Sequence, residues 1–212
     1  MKKKFISVIT ILCIIFTFSA CSSSDGDSLY KDGQKAYMNG DYDAALSYFE
    51  DAIKKGVSEN VSTSDLYAFL GNTYMELDDI DKAIESYDIS LEADSSNVRN
   101  YVNLAIAYRQ KGDGNKAKQL YVQATAIDPD YPELNSSLGS LYLLEGDAEK
   151  AIEYFNKAIE KDPDLAVAWG NAALAYAKTD DFEKANEYLN TAREKGYKNA
   201  DTIAEMIEEE KQ

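Results

Sequence analysis

Several residue types that active sites depend on are missing or scarce in this chain. Its 212 residues include no histidine and only two cysteines, Cys13 and Cys21. Histidine is a frequent general base and metal ligand, and cysteine is a frequent nucleophile. The sequence also has no Gly-rich phosphate loop and no metal-ligand spacing. We therefore predict that the protein is not an enzyme and that it uses no cofactor and no metal.

Basic residues are also in short supply. The chain has 22 Lys and Arg against 38 Asp and Glu, a net charge of −16. Lys2, Lys3 and Lys4 precede the first acidic residue, so the chain after residue 20 carries −19 (−16 − 3). Such a surface repels phosphate groups and anionic lipid headgroups. We expect no nucleic-acid partner and no electrostatic attachment of the body to a membrane.

What the chain does have is a period of 34 residues. It appears in a tyrosine column and in an alanine column: Tyr74, Tyr108, Tyr142 and Tyr176, then Ala83, Ala117, Ala151 and Ala185. A large apolar residue follows at a further fixed offset: Tyr87, Tyr121, Phe155 and Leu189. A period of this length indicates helical pairs that bury their apolar faces only by stacking on one another.

The columns resemble the tetratricopeptide repeat, in which a Trp/Leu-Gly/Tyr block is followed by Ala, Phe and Pro. Trp169 lies at the Trp position, and an earlier unit matches through Gly33, Ala45 and Phe49. The resemblance implies an all-α, right-handed superhelical solenoid of about five helix pairs over 29–199. The expected repeats are about 26–59, 64–97, 98–131, 132–165 and 166–199, with a longer loop over Lys54–Thr63 after the first.

The tail over 200–212 is predicted to be a capping helix. Ile203, Met206 and Ile207 are spaced for one helical face, and acidic residues occupy the other. A terminal amphipathic helix protects the half-core of the last repeat. A partner-binding helix is the alternative.

The first 20 residues have the layout of a secretory signal peptide. Met1-Lys2-Lys3-Lys4 is basic, and the apolar stretch from Phe5 to Phe18 is about 14 residues, too short to span a bilayer. The end of the stretch, Phe18-Ser19-Ala20-Cys21, resembles a bacterial lipobox, although Phe18 replaces the usual Leu. The resemblance implies a lipid on Cys21. An ordinary signal peptide and an uncleaved anchor are the alternatives.

Residues 21–28 are predicted to form the lipidated Cys and a flexible tether, because small polar residues cannot bury enough apolar surface to become ordered. The protein is therefore expected at the cell envelope, lipid-anchored on the extracytoplasmic side of a membrane, with its first repeat close to the bilayer.

The resemblance also implies a partner groove lined by the first helix of each repeat. The mapped side chains combine apolar residues with polar ones that would orient a peptide, although about half could simply pack between repeats. They are Tyr30, Gln34, Tyr37, Met38, Phe69, Asn72, Met75, Arg99, Val102, Asn103, Ile106, Arg109, Ser136, Ser140, Leu143, Leu144, Asn171, Leu174 and Lys178.

One known specificity of the family is excluded. Its clamp for a chaperone's C-terminal carboxylate needs basic side chains where this chain has Ala68, Glu133 and Ser137. Without those cations the carboxylate has no charged partner.

We therefore predict an interaction scaffold that docks a protein or peptide at the envelope. Three alternatives stay open: a pilot or assembly lipoprotein for a secretion, pilus or outer-membrane complex; a peptidoglycan- or glycan-associated module that recruits hydrolases; and self-association through the groove.

Overall fold

The computed structural model describes residues 25–211, which form eleven α-helices and no β-strand. The first helices of the pairs are α1 (Asp25–Met38), α3 (Thr63–Glu76), α5 (Val98–Gln110), α7 (Pro132–Leu144) and α9 (Ala166–Lys178). The second helices are α2 (Tyr42–Lys55), α4 (Ile80–Ala93), α6 (Gly114–Ile127), α8 (Ala148–Lys161) and α10 (Phe182–Glu194). The last helix is α11 (Ala200–Glu210). The prediction of an all-α repeat solenoid is confirmed for these residues.

Each second helix is capped at its start by an aspartate. The side chain of Asp79 accepts a hydrogen bond from the backbone N–H of Lys82, and Asp147 does the same for Lys150. This bond satisfies one of the backbone donors that a helix leaves free at its start. The residue just before the capping aspartate is a glycine or an aspartate with positive φ, as at Gly146 (φ 84°) and Asp78 (φ 61°).

The alanine column forms the tightest part of the core. Ala83, Ala117, Ala151 and Ala185 are all fully buried. The small residues one turn before the tyrosine column make room for a ring of the paired helix. A Cβ on Gly71 would lie 2.6 Å from the ring of Tyr87, and one on Gly139 would lie 2.7 Å from that of Phe155.

The tyrosine column lies at the edge of this core. Tyr74 and Tyr176 are buried, whereas Tyr108 and Tyr142 are half-buried. A lysine from the start of the following helix lies over each ring, with its Nζ 4.1 to 5.8 Å from the ring centroid. Each tyrosine thus fixes the two helices of its own repeat.

Helix α11 packs against α9 and α10. Ile203 and Ile207 are buried in this contact, and Met206 stays 37% exposed. Lys178 of α9 and Glu210 of α11 form an ion pair at 2.5 Å.

The structure corrects the predicted end of the tether. Helix α1 already begins at Asp25, so Asp25–Ser28 are helical. Asp27 is buried, and its carboxylate accepts hydrogen bonds from the backbone N–H (2.7 Å) and the hydroxyl (2.6 Å) of Ser58. These bonds fix the start of α1 to the longer loop after α2, which the local composition did not indicate.

Two other predictions lie outside the described residues: the signal peptide over 1–20 and the lipid on Cys21. Among residues 25–211, none of the helices has the length and the apolar character needed to cross a membrane.

Candidate partner-binding groove

The predicted groove residues gather in three depressions along the first helices. The first has a volume of about 380 Å³ and lies between α3 and α5, with Tyr131 at its far side. Four predicted residues line it: Phe69, Asn72, Arg99 and Asn103.

Polar side chains in the first depression are held by hydrogen bonds within the protein. The Asn72 Oδ1 accepts from the Tyr87 hydroxyl at 2.7 Å and from the Asn103 Nδ2 at 3.1 Å. The Arg99 Nε donates to the Tyr131 hydroxyl at 2.9 Å, and this bond raises the pKa of Arg99. These groups are therefore oriented before any partner arrives, which lowers the entropic cost of binding.

The second depression, of about 160 Å³, adjoins the first and shares Asn72 and Asn103 with it. Three more predicted residues line it, Tyr37, Met75 and Ile106. The Tyr37 ring packs edge-on against Phe69 with centroids 5.9 Å apart. Burial raises the pKa of Tyr37, and the carboxylate of Glu76, which also lines this depression, adds to the shift.

The third depression, of about 400 Å³, lies between α7 and α9. The seven predicted residues that line it are Arg109, Ser140, Leu143, Leu144, Asn171, Leu174 and Lys178. Leu144 is 73% exposed, and the Asn171 Nδ2 donates to the Ser140 Oγ at 3.2 Å. The depression is therefore apolar with a fixed polar pair and two cations.

Five predicted residues line none of these depressions. Tyr30, Val102 and Ser136 are buried, and the structure corrects their assignment to an accessible surface. Tyr30 packs against both Phe49 and Phe69, with each pair of ring centroids 6.1 Å apart, because its helix position faces the neighbouring helix. Gln34 donates to the Tyr30 hydroxyl at 2.9 Å, and Met38 is exposed beyond the groove.

The sequence reasoning missed several lining residues, among them Glu76, Tyr131 and Met206. Tyr131 precedes α7 and belongs to no column of the period. Met206 lies on α11, which follows the last repeat, so no repeat position predicts that it packs over α9. Glu76 is the last residue of α3. Its place in the groove could have been predicted, because the end of a first helix borders the groove.

Within residues 25–211 no group of three Asp or Glu side chains lies close enough to hold a metal ion.

Comparison with known proteins places this architecture in a family. One model of the tetratricopeptide repeat matches residues 30–98 and 102–166, and a second matches residues 142–204. The chain belongs to the tetratricopeptide repeat family.

Relatives of this tetratricopeptide repeat protein share its repeat at low sequence identity. Tetratricopeptide repeat protein 12 of Mus musculus is 26% identical over 103 residues, which are 49% of this chain and 14% of the mouse protein. The chain spans less than half the length of the curated relatives it matches.

Two solved structures show the same solenoid. TTC0263, a tetratricopeptide repeat protein of Thermus thermophilus, is 23% identical with a TM-score of 0.71, and the match covers 87% of this chain and 98% of that one. PilF of Pseudomonas aeruginosa is 20% identical with a TM-score of 0.67, over 86% of this chain and 84% of that one. Tetratricopeptide repeats are scaffolds for protein–protein interaction, and this chain is built as one.

Proposed function

We propose that this protein is a lipid-anchored scaffold of the cell envelope that docks a segment of a protein partner in its groove. The observation that carries the proposal is the alignment of three depressions along α3, α5, α7 and α9, with amide side chains fixed inside them. Apolar pockets separated by oriented polar groups suit a peptide that offers alternating side chains and backbone amides.

The charges differ between the two ends of the groove. The first two depressions carry the carboxylates of Asp65 and Glu76 beside the cation of Arg99. The third carries the cations of Arg109 and Lys178, and Lys178 is already paired with Glu210. A basic residue of a bound segment is therefore favoured beside Glu76 and an acidic one beside Arg109. Such complementarity contributes more to specificity than to affinity.

The anchor part of the proposal rests on the sequence around Cys21. Because α1 begins at Asp25, only Ser22, Ser23 and Ser24 separate Cys21 from the first repeat. Four Cα–Cα steps reach at most about 14 Å. A lipid on Cys21 would hold the groove close to the bilayer, while the −19 charge would keep the body off anionic headgroups.

The groove can be tested with two substitutions in different depressions, Met75→Ala and Leu144→Glu, introduced together. A partner identified by cross-linking in intact cells should bind the purified variant at least about tenfold more weakly, since both apolar contacts are lost. The matched control is Ile89→Glu, which changes a 38% exposed residue of α4 outside the groove. Equal binding by the groove variant and the control, with unchanged circular dichroism, would exclude the groove.

The anchor has a separate test. Cys21→Ser should move the protein from the membrane fraction to the soluble fraction and abolish labelling by a radioactive fatty acid. Cys13→Ser is the control, since that cysteine lies within the predicted signal peptide. Labelling that persists in the Cys21 variant would contradict a lipid at this residue.

A further inference from the structure

Another cleft lies outside the groove. It has a volume of about 520 Å³ and opens between the third and fourth repeats, walled by α6, α7 and α8. Its surface is mostly apolar, from Tyr121, Val122, Leu138, Leu141 and Tyr154. None of its lining residues belongs to the three depressions of the groove.

A break in the 34-residue period explains the cleft. In the second repeat, Ile84 and Leu91 lie seven residues apart on α4 and pack into the core toward the next repeat. In the fourth repeat, Ile152 and Ile159 do the same from α8.

The corresponding residues of α6 are Lys118 and Thr125. Both line the cleft. Where the neighbouring junctions each have two aliphatic side chains, this junction has a charged one and a short polar one. The aliphatic pair of the other junctions is therefore absent here, and the apolar contact between α6 and α7 is limited to the cluster that contains Leu134 and Leu141.

The packing shows the consequence. Helix α6 contacts α7 less than any other second helix contacts the first helix that follows it. Lys118 instead forms an ion pair with Glu145 at the mouth of the cleft. An exposed pair of this kind contributes little and is easily displaced by an entering group.

The rim of the cleft exposes apolar and aromatic side chains. Val122 is 71% exposed beside the opening. On the opposite side the rings of Tyr142 and Tyr154 are stacked with centroids 5.2 Å apart. The lysines Lys150 and Lys157 lie over these two rings and fix their positions.

We propose that this cleft is a second docking site, which takes two aliphatic side chains from an amphipathic helix of a partner protein. The cleft follows α6 from Lys118 to Ala126, two helical turns or about 12 Å. Side chains seven residues apart on a docked helix cover a similar length on one face. The neighbouring junctions, filled by aliphatic pairs with this spacing, show which occupant completes the packing.

The charge of the protein further defines that occupant. The part of the chain after residue 20 carries −19, so a helix with an acidic polar face, including that of a second copy of this chain, is repelled. At the rim, Lys118, Lys150 and Lys157 outnumber Glu145, so the polar face of the docked helix carries no strong charge of either sign.

A variant that fills the cleft tests the proposal without risking the fold. Lys118→Ile with Thr125→Leu restores the aliphatic pair of the neighbouring repeats. The control is Gln119→Ile with Gln123→Leu, which adds the same side chains to exposed positions of the same helix. The filled variant should have a higher Tm than the wild type, and the control should not.

The occupant is identified by a photoreactive benzoylphenylalanine at Val122 in the full chain, irradiated in intact cells. We expect a cross-link to a protein segment that is helical and carries aliphatic residues seven apart. The yield should fall at least about tenfold in the filled variant, and it should be unchanged in the control and in the Met75→Ala, Leu144→Glu groove variant.

Several outcomes would overturn the proposal. They are an absent cross-link, a cross-link to lipid or to a small molecule, a cross-link to a second copy of this chain, and a yield that the filled variant leaves unchanged. Because the groove variant is measured in parallel, failure of the cleft and failure of the groove are separate results.

Discussion

At the scale of single residues, the packing of a repeat depends on the small residue one turn before the tyrosine column. This residue is a glycine or an alanine, so the packing depends on whether it carries a methyl group. The ring of Phe155 is fully buried and lies 2.7 Å from the position that a Cβ of Gly139 would have. In the next repeat the position is Ala173 and the facing residue is the smaller Leu189. Small and large residues are thus matched in the second, fourth and fifth repeats, which keeps the interior close-packed, whereas the third combines Ala105 with the buried Tyr121.

Gly139→Ala is expected to destabilise the protein by about 1 to 3 kcal/mol in urea unfolding, because the new methyl group would lie 2.7 Å from a fully buried ring. Better helix propensity offsets at most about 1 kcal/mol of this cost. Gly114→Ala is the control, since no atom lies within 4 Å of its Cβ position. Equal midpoints for the two variants would contradict the packing argument.

Tyr74 links stability to alkaline pH. Burial and the hydrogen bond to Glu50 raise the pKa of Tyr74 from 10.0 to about 12. The neutral phenol is therefore favoured in the folded state, and this stabilisation is complete below pH 10 and is lost as the pH rises toward 12. Tyr74→Phe should flatten the fall of Tm across this range in thermal unfolding followed by circular dichroism, and a fall as steep as that of the wild type would contradict this role of Tyr74.

At the residue scale, the sequence predicted best the residues that recur with the 34-residue period. The alanine column and the large apolar column are buried, because a fixed spacing identifies a buried face, whereas Tyr108 and Tyr142 of the tyrosine column are half-buried. Tyr131 and Met206 lie outside the columns and were not predicted. They line the groove from a loop and from the terminal helix, whose positions no repeat specifies. Val102 was misassigned because its position faces the neighbouring helix in this chain.

At the scale of elements, the ends of the solenoid differ in how they are closed. At the start, Asp27 holds the loop after α2 through Ser58, and Gly26 lets that loop approach, since a Cβ there would lie 2.1 Å from the Gly56 carbonyl oxygen. Both contacts join residues about 30 apart in sequence, so the composition of the segment gave no indication that it is helical.

At the other end, α11 covers the last repeat through Ile203 and Ile207. Ile207→Ala should cost about 2 to 4 kcal/mol, because the side chain is 1% exposed and its removal leaves a cavity. Met206→Ala, at 37% exposed, should cost far less. The measurement is urea unfolding followed by circular dichroism, and similar losses for both would mean that α11 does not bury Ile207 in solution.

At the scale of the whole molecule, stability is a sum over repeats and the junctions between them. The period predicts that all junctions are alike, and aliphatic pairs complete the junction before the third repeat and the junction after the fourth. Lys118 and Thr125 break that rule between the three repeats before the cleft and the two after it. The contact between a second helix and the following first helix is smallest there, between α6 and α7, although Leu134 and Leu141 of α7 share a buried cluster with α6. The residues that recur specify the fold, and the residues that break the period specify the junction where these two helices contact each other least.

We therefore expect the two parts to unfold separately. The single tryptophan, Trp169, lies in the fifth repeat, where its ring packs against Tyr188 and its Nε1 donates to the Pro163 carbonyl. Its fluorescence reports the part after the cleft, whereas circular dichroism reports all helices. In urea the two signals should give different midpoints for the wild type.

Filling the cleft should remove that difference. With Lys118→Ile and Thr125→Leu the junction gains the apolar contact of its neighbours, and coupled repeats unfold as one unit. The two midpoints should then coincide at a higher urea concentration, while Gln119→Ile with Gln123→Leu leaves them apart. Coincident midpoints in the wild type would show that α6 and α7 are already coupled as strongly as the other junctions.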